Sequence, residues 1–258
     1  MTRGGRIEVD VSERVPDEPG LGDRGLFAII PAYNEAVTLP RVLRRFKRRH
    51  PTVPVVVIDD GSTDETAQAA LRSGAIVIRH PFNLGYGAAL QTGYRYALSR
   101  GARGVVQLDA DGQHPPEEVH RLIAALNEGG ADVILGSRFS GRGDYRSGPL
   151  RYLGILLFRL LVRWTTGLSI RDPTSGFQAL SRRCLEHYQN DFPEDYPDAE
   201  VLIRMHLQGY VIREVPVRMM AAHRPGRLHR GLQPFFYLYK NLLAIALLMA
   251  RARKEASP

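Results

Sequence analysis

The sequence predicts an α/β fold: one mostly parallel sheet flanked by helices, with amphipathic helices toward the C-terminal end. Three observations carry this. Short apolar runs alternate with stretches of helical period from residue 26 onward. Each apolar run is followed by a short polar segment rich in Gly, Asp, Asn or Pro. The chain has 258 residues, 44% of them hydrophobic, enough for one sizeable core.

The elements follow in order. Residues 1–24 are charged and rich in Gly and Pro, and read as a flexible tail. The apolar run 26–30 ends at Pro31 and reads as a buried strand followed by a loop. Residues 38–49 read as a helix, with Leu39, Val42, Leu43 and Phe46 on one face and basic residues opposite. Next come a strand at 53–58, a turn at Asp59-Asp60-Gly61-Ser62 and a helix at 63–73. A third strand is expected at 75–79, a third helix at 87–99 and a fourth strand at 104–108. A fourth helix at 116–127 and a fifth strand at 132–135 complete the series. This βαβα order implies parallel strands, right-handed crossovers and ligands beyond the carboxyl ends of the strands. The loops at that edge are 31–35, 59–62, 80–87, 109–114 and 136–138. Their polar motifs therefore gather in one place.

Composition narrows the function classes. The single cysteine, Cys184, forms no internal disulfide, which suits a reducing compartment. No signal-peptide pattern opens the chain. No uncharged apolar run reaches the roughly 18–20 residues of a spanning helix. The formal charge of +8 favours anionic partners: nucleic acid, phosphates or acidic lipid. The basic residues are spread over helix faces without a basic-aromatic motif, so no nucleic acid is expected as partner.

Two loops are acidic. Asp109-Ala110-Asp111 follows the apolar strand Val105-Val106-Gln107-Leu108. Carboxylates one residue apart suit Mg²⁺ or Mn²⁺, which take oxygen ligands and share them with phosphates; Gln113 and His114 lie close by. The plainer reading makes Asp111 or Gln113 a helix cap before Pro115-Pro116. Asp59-Asp60 can accept hydrogen bonds from a base or ribose, or Asp60 or Ser62 can cap the following helix. Asn83-Leu84-Gly85-Tyr86-Gly87 opens a helix with small residues that let backbone N–H groups approach an anion. Arg218, His223, Arg224, Arg227, His229 and Arg230 form a basic segment around Pro225-Gly226, suited to phosphate or simply solvated.

With Ile29-Ile30-Pro31-Ala32-Tyr33-Asn34-Glu35, Gly136-Ser137-Arg138 and Asp172-Pro173-Thr174-Ser175-Gly176-Phe177, these motifs resemble the family 2 glycosyltransferases of GT-A fold. Within them the chain is most similar to the dolichol- and polyprenol-phosphate sugar synthases, over about residues 26–230. The resemblance implies a single Rossmann-like GT-A domain at 25–232, and the apolar run beyond it reads as a C-terminal amphipathic helix at 233–258. It implies that Pro31, Tyr33, Glu35 and the Asp59-Asp60 turn hold the nucleotide of the sugar donor, with Asn83 nearby. Asp109, Asp111 and Gln113 would bind Mg²⁺ or Mn²⁺ on the donor diphosphate. Ser137, Arg138 and Arg204 would meet the acceptor, and Glu200 pairs in sequence with Arg204 as in the family. Arg224 and Arg227 lie in the segment that covers the donor, although it departs from the family's Gly-x-Ser-Lys ending. The implied reaction is a metal-dependent inverting transfer of a hexose, from a donor of GDP-mannose or UDP-glucose type, to polyprenol phosphate. A hydroxyl acceptor on a glycan or small molecule would need a base, for which Asp198 and Glu200 are the candidates.

Two stretches bear on the membrane. Residues 150–164 are apolar around Arg151, Arg159 and Arg163, and 235–250 are apolar around Lys240, with Arg251, Arg253 and Lys254 following. Both suit helices lying in the interface of an anionic cytoplasmic leaflet. Packing on the sheet, on a second copy or on a membrane-protein partner is the alternative. Two further classes, a non-catalytic binding protein of the same fold and a nucleotidyltransferase, fit less well. The first would have no need of Asp60, Asp109 and Asp111, and the second needs a Gly-rich basic signature after its first strand.

Overall fold

The computed structural model describes residues 25–139, 149–193, 199–220 and 233–255. Residues 1–24, Asp198, His223, Arg224, Arg227, His229 and Arg230, all named above, lie outside these.

The elements are β1 Leu26–Ala32, α1 Leu39–Arg49, β2 Val55–Asp59, α2 Thr66–Arg72, β3 Ile76–Arg79, α3 Tyr86–Ser99 and β4 Gly104–Gln107. A 3-10 turn at Pro116–Glu118 leads into α4 Val119–Asn127 and β5 Val133–Ser137. Then come α5 Pro149–Thr166, β6 Gln178–Ser181, α6 Arg182–Tyr188, α7 Ala199–Leu207, β7 Ile212–Pro216 and α8 Gln233–Glu255. The strands form one seven-stranded sheet in the order β3-β2-β1-β4-β6-β5-β7. All pairings are parallel except those of β6, which runs antiparallel to both β4 and β5. The expected mostly parallel α/β sheet is therefore present.

Strand residues alternate between two cores. In β1, Ala28 and Ile30 pack with Leu39, Val42, Leu43 and Phe46 of α1 and with α2 and α4. Phe27 and Ile29 face the other way, toward Leu90 and Tyr94 of α3, Phe158 of α5 and Leu202 of α7. Each buried Val, Leu, Ile or Phe among them contributes about 1.5–3 kcal/mol.

Four features differ from the sequence expectations. β1 continues through Pro31, which pairs in register with Ile58. Ala28 turns its N–H to β2 and Ile29 its carbonyl to Leu108, so Pro31 faces the β4 side. β4 pairs β1 only as far as Ile29, so the missing proline N–H breaks no ladder bond. α2 starts at Thr66 rather than 63, because Asp64 accepts the Thr66 N–H at 3.0 Å. Strands β6 and β7 and helix α6 lie where no element was expected, since their short runs carry polar residues at buried or half-buried positions. The proposed helix caps are the fourth: Asp60, Ser62, Asp111 and Gln113 cap no helix by side chain, and their oxygens serve the loops instead.

Among the described residues no helix is long and apolar enough to cross a membrane. α5 buries Ile155, Phe158 and Val162, yet leaves Leu153, Leu160 and Trp164 57–74% exposed. Tyr239, Leu243 and Leu247 form a similar exposed stripe on α8.

Candidate functional site

The loops after β1 and β2 are stitched together. The Asn34 N–H donates to Ser62 Oγ at 2.9 Å, and Asn34 Oδ1 accepts the Thr63 N–H at 2.9 Å. Glu35 N–H donates to Thr66 Oγ1 at 2.8 Å, and Ala36 N–H to Asp64 Oδ2 at 3.2 Å. Asn34 has φ 57°, a left-handed conformation that Asn tolerates. Burial pulls the Asp64 carboxyl upward, but the bonds from Thr66 and Ala36 outweigh it and hold the group below its usual range. Pro31 is buried, and Tyr33 and Glu35 stand half-exposed on this rim.

The Asp59-Asp60 pair divides its work. Asp59 is fully buried; it accepts the Ser62 N–H at 3.1 Å and meets Arg79 Nε at 3.2 Å. Asp60 reaches across to the loop after β3. Its Oδ1 lies 2.7 Å from His80 Nδ1 and accepts the Leu84 N–H at 2.9 Å, and its Oδ2 accepts the Gly85 N–H at 3.0 Å. The amide of exposed Asn83 donates to the Asp60 carbonyl at 3.3 Å. Gly61 has φ 69°, and a Cβ there would fall on the Phe82 carbonyl carbon and 2.7 Å from Asn83 N. Only glycine lets these two loops touch.

Asp109 and Asp111 stand at the end of β4. Asp109 Oδ1 accepts from the Tyr86 hydroxyl at 2.9 Å. The Asp109 N–H donates to His114 Nδ1 at 3.0 Å, and His114 stacks on Phe177 with ring centroids 4.9 Å apart. That bond makes Nδ1 an acceptor, so its 3.6 Å approach to Asp109 Oδ2 is no ion pair. Burial, with Asp111 adding to it, pushes the Asp109 carboxyl above the usual carboxylate range. Asp111 accepts the Gln113 N–H at 2.9 Å and the Gln113 side-chain amide at 2.5 Å. Gly176 approaches from the loop before β6: a Cβ there would lie 2.9 Å from Tyr86 Oη and 3.7 Å from both Asp109 oxygens. No cluster of three or more His, Cys, Asp or Glu side chains able to hold a metal occurs among the described residues. The available donors are thus two carboxylates and an amide oxygen. This set fits a hard cation that takes its remaining ligands from phosphate and water.

On the far side, Ser137 ends β5 with its hydroxyl buried and unpartnered among the described residues. Arg138 is committed to Asp172: its N–H, Nε and Nη2 reach the carboxylate at 3.0, 2.7 and 2.6 Å. Nη2 also meets Thr174 Oγ1 at 3.1 Å. Glu214 on β7 accepts the Arg171 and Asp172 N–H groups at 2.7–3.1 Å. Glu200 and Arg204 bond one another on α7 at 2.6 Å, and Arg204 also reaches Asp191 at 2.7 Å. No bond among the described residues links this pair to the two acidic loops. The Met220 N–H donates to the Gln113 carbonyl at 3.0 Å, so the start of the basic segment is tied to the acidic loop.

The structure therefore gathers Tyr33, Glu35, Asp59, Asp60, Asn83, Asp109, Asp111 and Gln113 on one sheet edge, with Ser137 and Arg138 at the end of β5, which β6 separates from β4. Sequence reasoning missed His80, Tyr86, Tyr94, Gln107 and Asp172 as working parts. Gln107 carried a signal: a polar residue inside the apolar strand β4 requires buried partners.

Comparison with known proteins follows the same lines. The family model described as Glycosyl transferase family 2 matches residues 27–189. A polyprenol monophosphomannose synthase of Mycolicibacterium smegmatis is 37% identical over 165 residues, 61% of this chain and 62% of that protein. An undecaprenyl-phosphate mannosyltransferase of Micrococcus luteus is 34% identical over 164 residues, 60% of this chain and 65% of that one. The chain thus spans just under two thirds of each of these two relatives. The glucosyl-3-phosphoglycerate synthase of Mycobacterium tuberculosis, solved with Mn²⁺ and UDP-glucose, superposes with a TM-score of 0.64 at 25% identity. That match covers 88% of this chain and 78% of the other.

Proposed function

Because the chain belongs to glycosyl transferase family 2, a family of glycosyltransferases, we propose that it moves a hexose from a nucleotide-sugar to a polyprenol phosphate. The donor is of GDP-mannose or UDP-glucose type, and the anomeric carbon inverts. One observation carries the reading: the Asp59-Asp60 and Asp109-Ala110-Asp111 loops converge on one sheet edge, with the loop 80–85 bonded to Asp60. The mycobacterial and micrococcal relatives are named for polyprenol phosphate and undecaprenyl phosphate, which supports a lipid-phosphate acceptor. The neighbour solved with Mn²⁺ and UDP-glucose supports a divalent cation.

In this reading Pro31, Tyr33, Glu35 and the Asp59-Asp60 turn receive base and ribose, while Asn83 and the N-terminus of α3 approach the diphosphate. Asp109 and Asp111, with Gln113 beside them, hold Mg²⁺ or Mn²⁺, which supplies positive charge against the departing nucleotide diphosphate. Arg224 and Arg227 add guanidinium forks on a segment that begins beside Gln113. The Ser137 hydroxyl and Arg138, fixed by Asp172, orient the acceptor phosphate, with Arg204 on the acceptor side. A phosphate acceptor is already anionic and needs no base. A hydroxyl acceptor would call on Asp198 or Glu200. The exposed stripes of α5 and α8 rest in the headgroup layer, so the enzyme works peripherally at the cytoplasmic face.

The test is transfer from labelled GDP-mannose and UDP-glucose to polyprenol phosphate in anionic vesicles with Mn²⁺. The expected result is label in the lipid extract from one donor, reduced in Trp164→Glu while donor binding in solution is unchanged. Transfer only to a water-soluble hydroxyl acceptor would replace the lipid reading. Transfer unaltered in Trp164→Glu would leave α5 to a second copy or a protein partner.

A further inference from the structure

A chain of side chains runs from the core to the first acidic residue of the candidate metal site. Tyr94 on α3 is almost fully buried, and its hydroxyl donates to Gln107 Oε1 at 2.6 Å. Gln107 Nε2 donates to the Gly176 carbonyl at 2.9 Å and to Tyr86 Oη at 3.1 Å. Tyr86 Oη donates to Asp109 Oδ1 at 2.9 Å. The direction of every bond is determined. The Gly176 carbonyl can only accept, so the amide nitrogen of Gln107 must lie on its side. The amide oxygen then faces Tyr94, whose phenol burial holds protonated. Tyr86 Oη, accepting from Gln107, turns its own hydrogen to Asp109.

We infer that Tyr86, held by Gln107 and Tyr94, is a positioning residue that locks the Asp109 carboxylate in the rotamer facing the donor diphosphate and its cation. Tyr86 is the first residue of α3 and partly exposed, whereas Gln107 and Tyr94 are buried between α3 and β4. The sheet thus passes its rigidity to a loop carboxylate through three hydrogen bonds. Gly176 serves the same end, because any side chain there would press on Tyr86 Oη. Partners that orient metal ligands in this way typically govern affinity by about 10- to 100-fold. The inference rests on the cation site proposed above.

The test titrates Mn²⁺ into wild type, Tyr86→Phe and Asp109→Asn with saturating UDP or GDP, reading bound metal by water-proton relaxation. Thermal midpoints of the metal-free proteins are measured alongside. Tyr86→Phe breaks the bonds to Asp109 and Gln107 at a partly exposed ring and leaves Gln107 its bond to Gly176, so its metal-free midpoint should fall only slightly while Mn²⁺ affinity falls about tenfold or more. Gly176→Ala should weaken Mn²⁺ in the same direction. Affinity in Tyr86→Phe within twofold of wild type would overturn the inference. A loss of affinity that merely tracks a lowered metal-free midpoint would overturn it as well, since Tyr86 would then be structural. No Mn²⁺ binding by wild type with either diphosphate would instead remove the cation site itself, and the inference with it.

Discussion

Replacing Asp172 by Asn isolates the charge of one buried pair. Asp172 is fully buried and Arg138 is 5% exposed. The carboxylate takes three donors from Arg138, at 3.0, 2.7 and 2.6 Å. Asn has nearly the same volume, so no cavity forms. What remains is a guanidinium enclosed without its counter-charge, and breaking a buried pair by one partner costs about 3–5 kcal/mol. Against a typical total of about 5–15 kcal/mol, the variant stays folded but loses a large share of its stability. Urea unfolding followed by far-ultraviolet circular dichroism reads this directly. Arg138→Met with Asp172→Leu should cost less than Asp172→Asn alone, because no charge is left behind. A loss below about 1 kcal/mol for Asp172→Asn, the scale of an exposed pair, would refute the reasoning.

Three further outcomes are expected. Gly61→Ala forces a side chain onto the Phe82 backbone at φ 69°, so nucleotide-diphosphate affinity should drop at least about tenfold; unchanged affinity would mean the 59–62 and 80–85 loops do not act together. Cys184, the one cysteine in the sequence, is buried and its thiol is pushed up to about 12, chiefly by burial. It should resist a thiol reagent at neutral pH until the protein unfolds; prompt labelling would contradict the α6 packing. Asp109 has its carboxyl raised by burial and by Asp111, so it favours folding below the ordinary value of 3.8 and opposes it as pH rises through the raised one. Metal-free Asp109→Asn should therefore melt higher than wild type at neutral pH, an advantage that disappears in acid. An Asp109→Asn midpoint below wild type at neutral pH would show that the carboxylate is not strained.

Much of the fold was legible because its early half is regular. Strands β1 to β5 and helices α1 to α4 have the apolar periods of buried strands and one-sided helices, and they emerge within a few residues of expectation. β6 escaped notice because Gln178-Ala179-Leu180-Ser181 offers two apolar residues, and its antiparallel insertion between β4 and β5 depends on neighbours distant in sequence. The acidic loops were visible as motifs, and the topology brings them to one edge. Their internal wiring was not visible. Nothing in Asp60 alone says that it binds the backbone of residues 84 and 85, and nothing in Asp172 says that it fixes Arg138. These are long-range pairings between loops, which local patterns do not encode. The family resemblance marked Glu200 and Arg204 as an acidic-then-basic pair, and four residues apart on α7 they do bond each other.

The most direct test is calorimetric titration of GDP-mannose and UDP-glucose with and without Mn²⁺, into wild type and Asp111→Ala. The account predicts binding of one donor that depends on Mn²⁺ and is lost in Asp111→Ala, with the fold intact by circular dichroism. Donor binding that ignores both the metal and Asp111, or no binding of either donor to folded wild type, would contradict it.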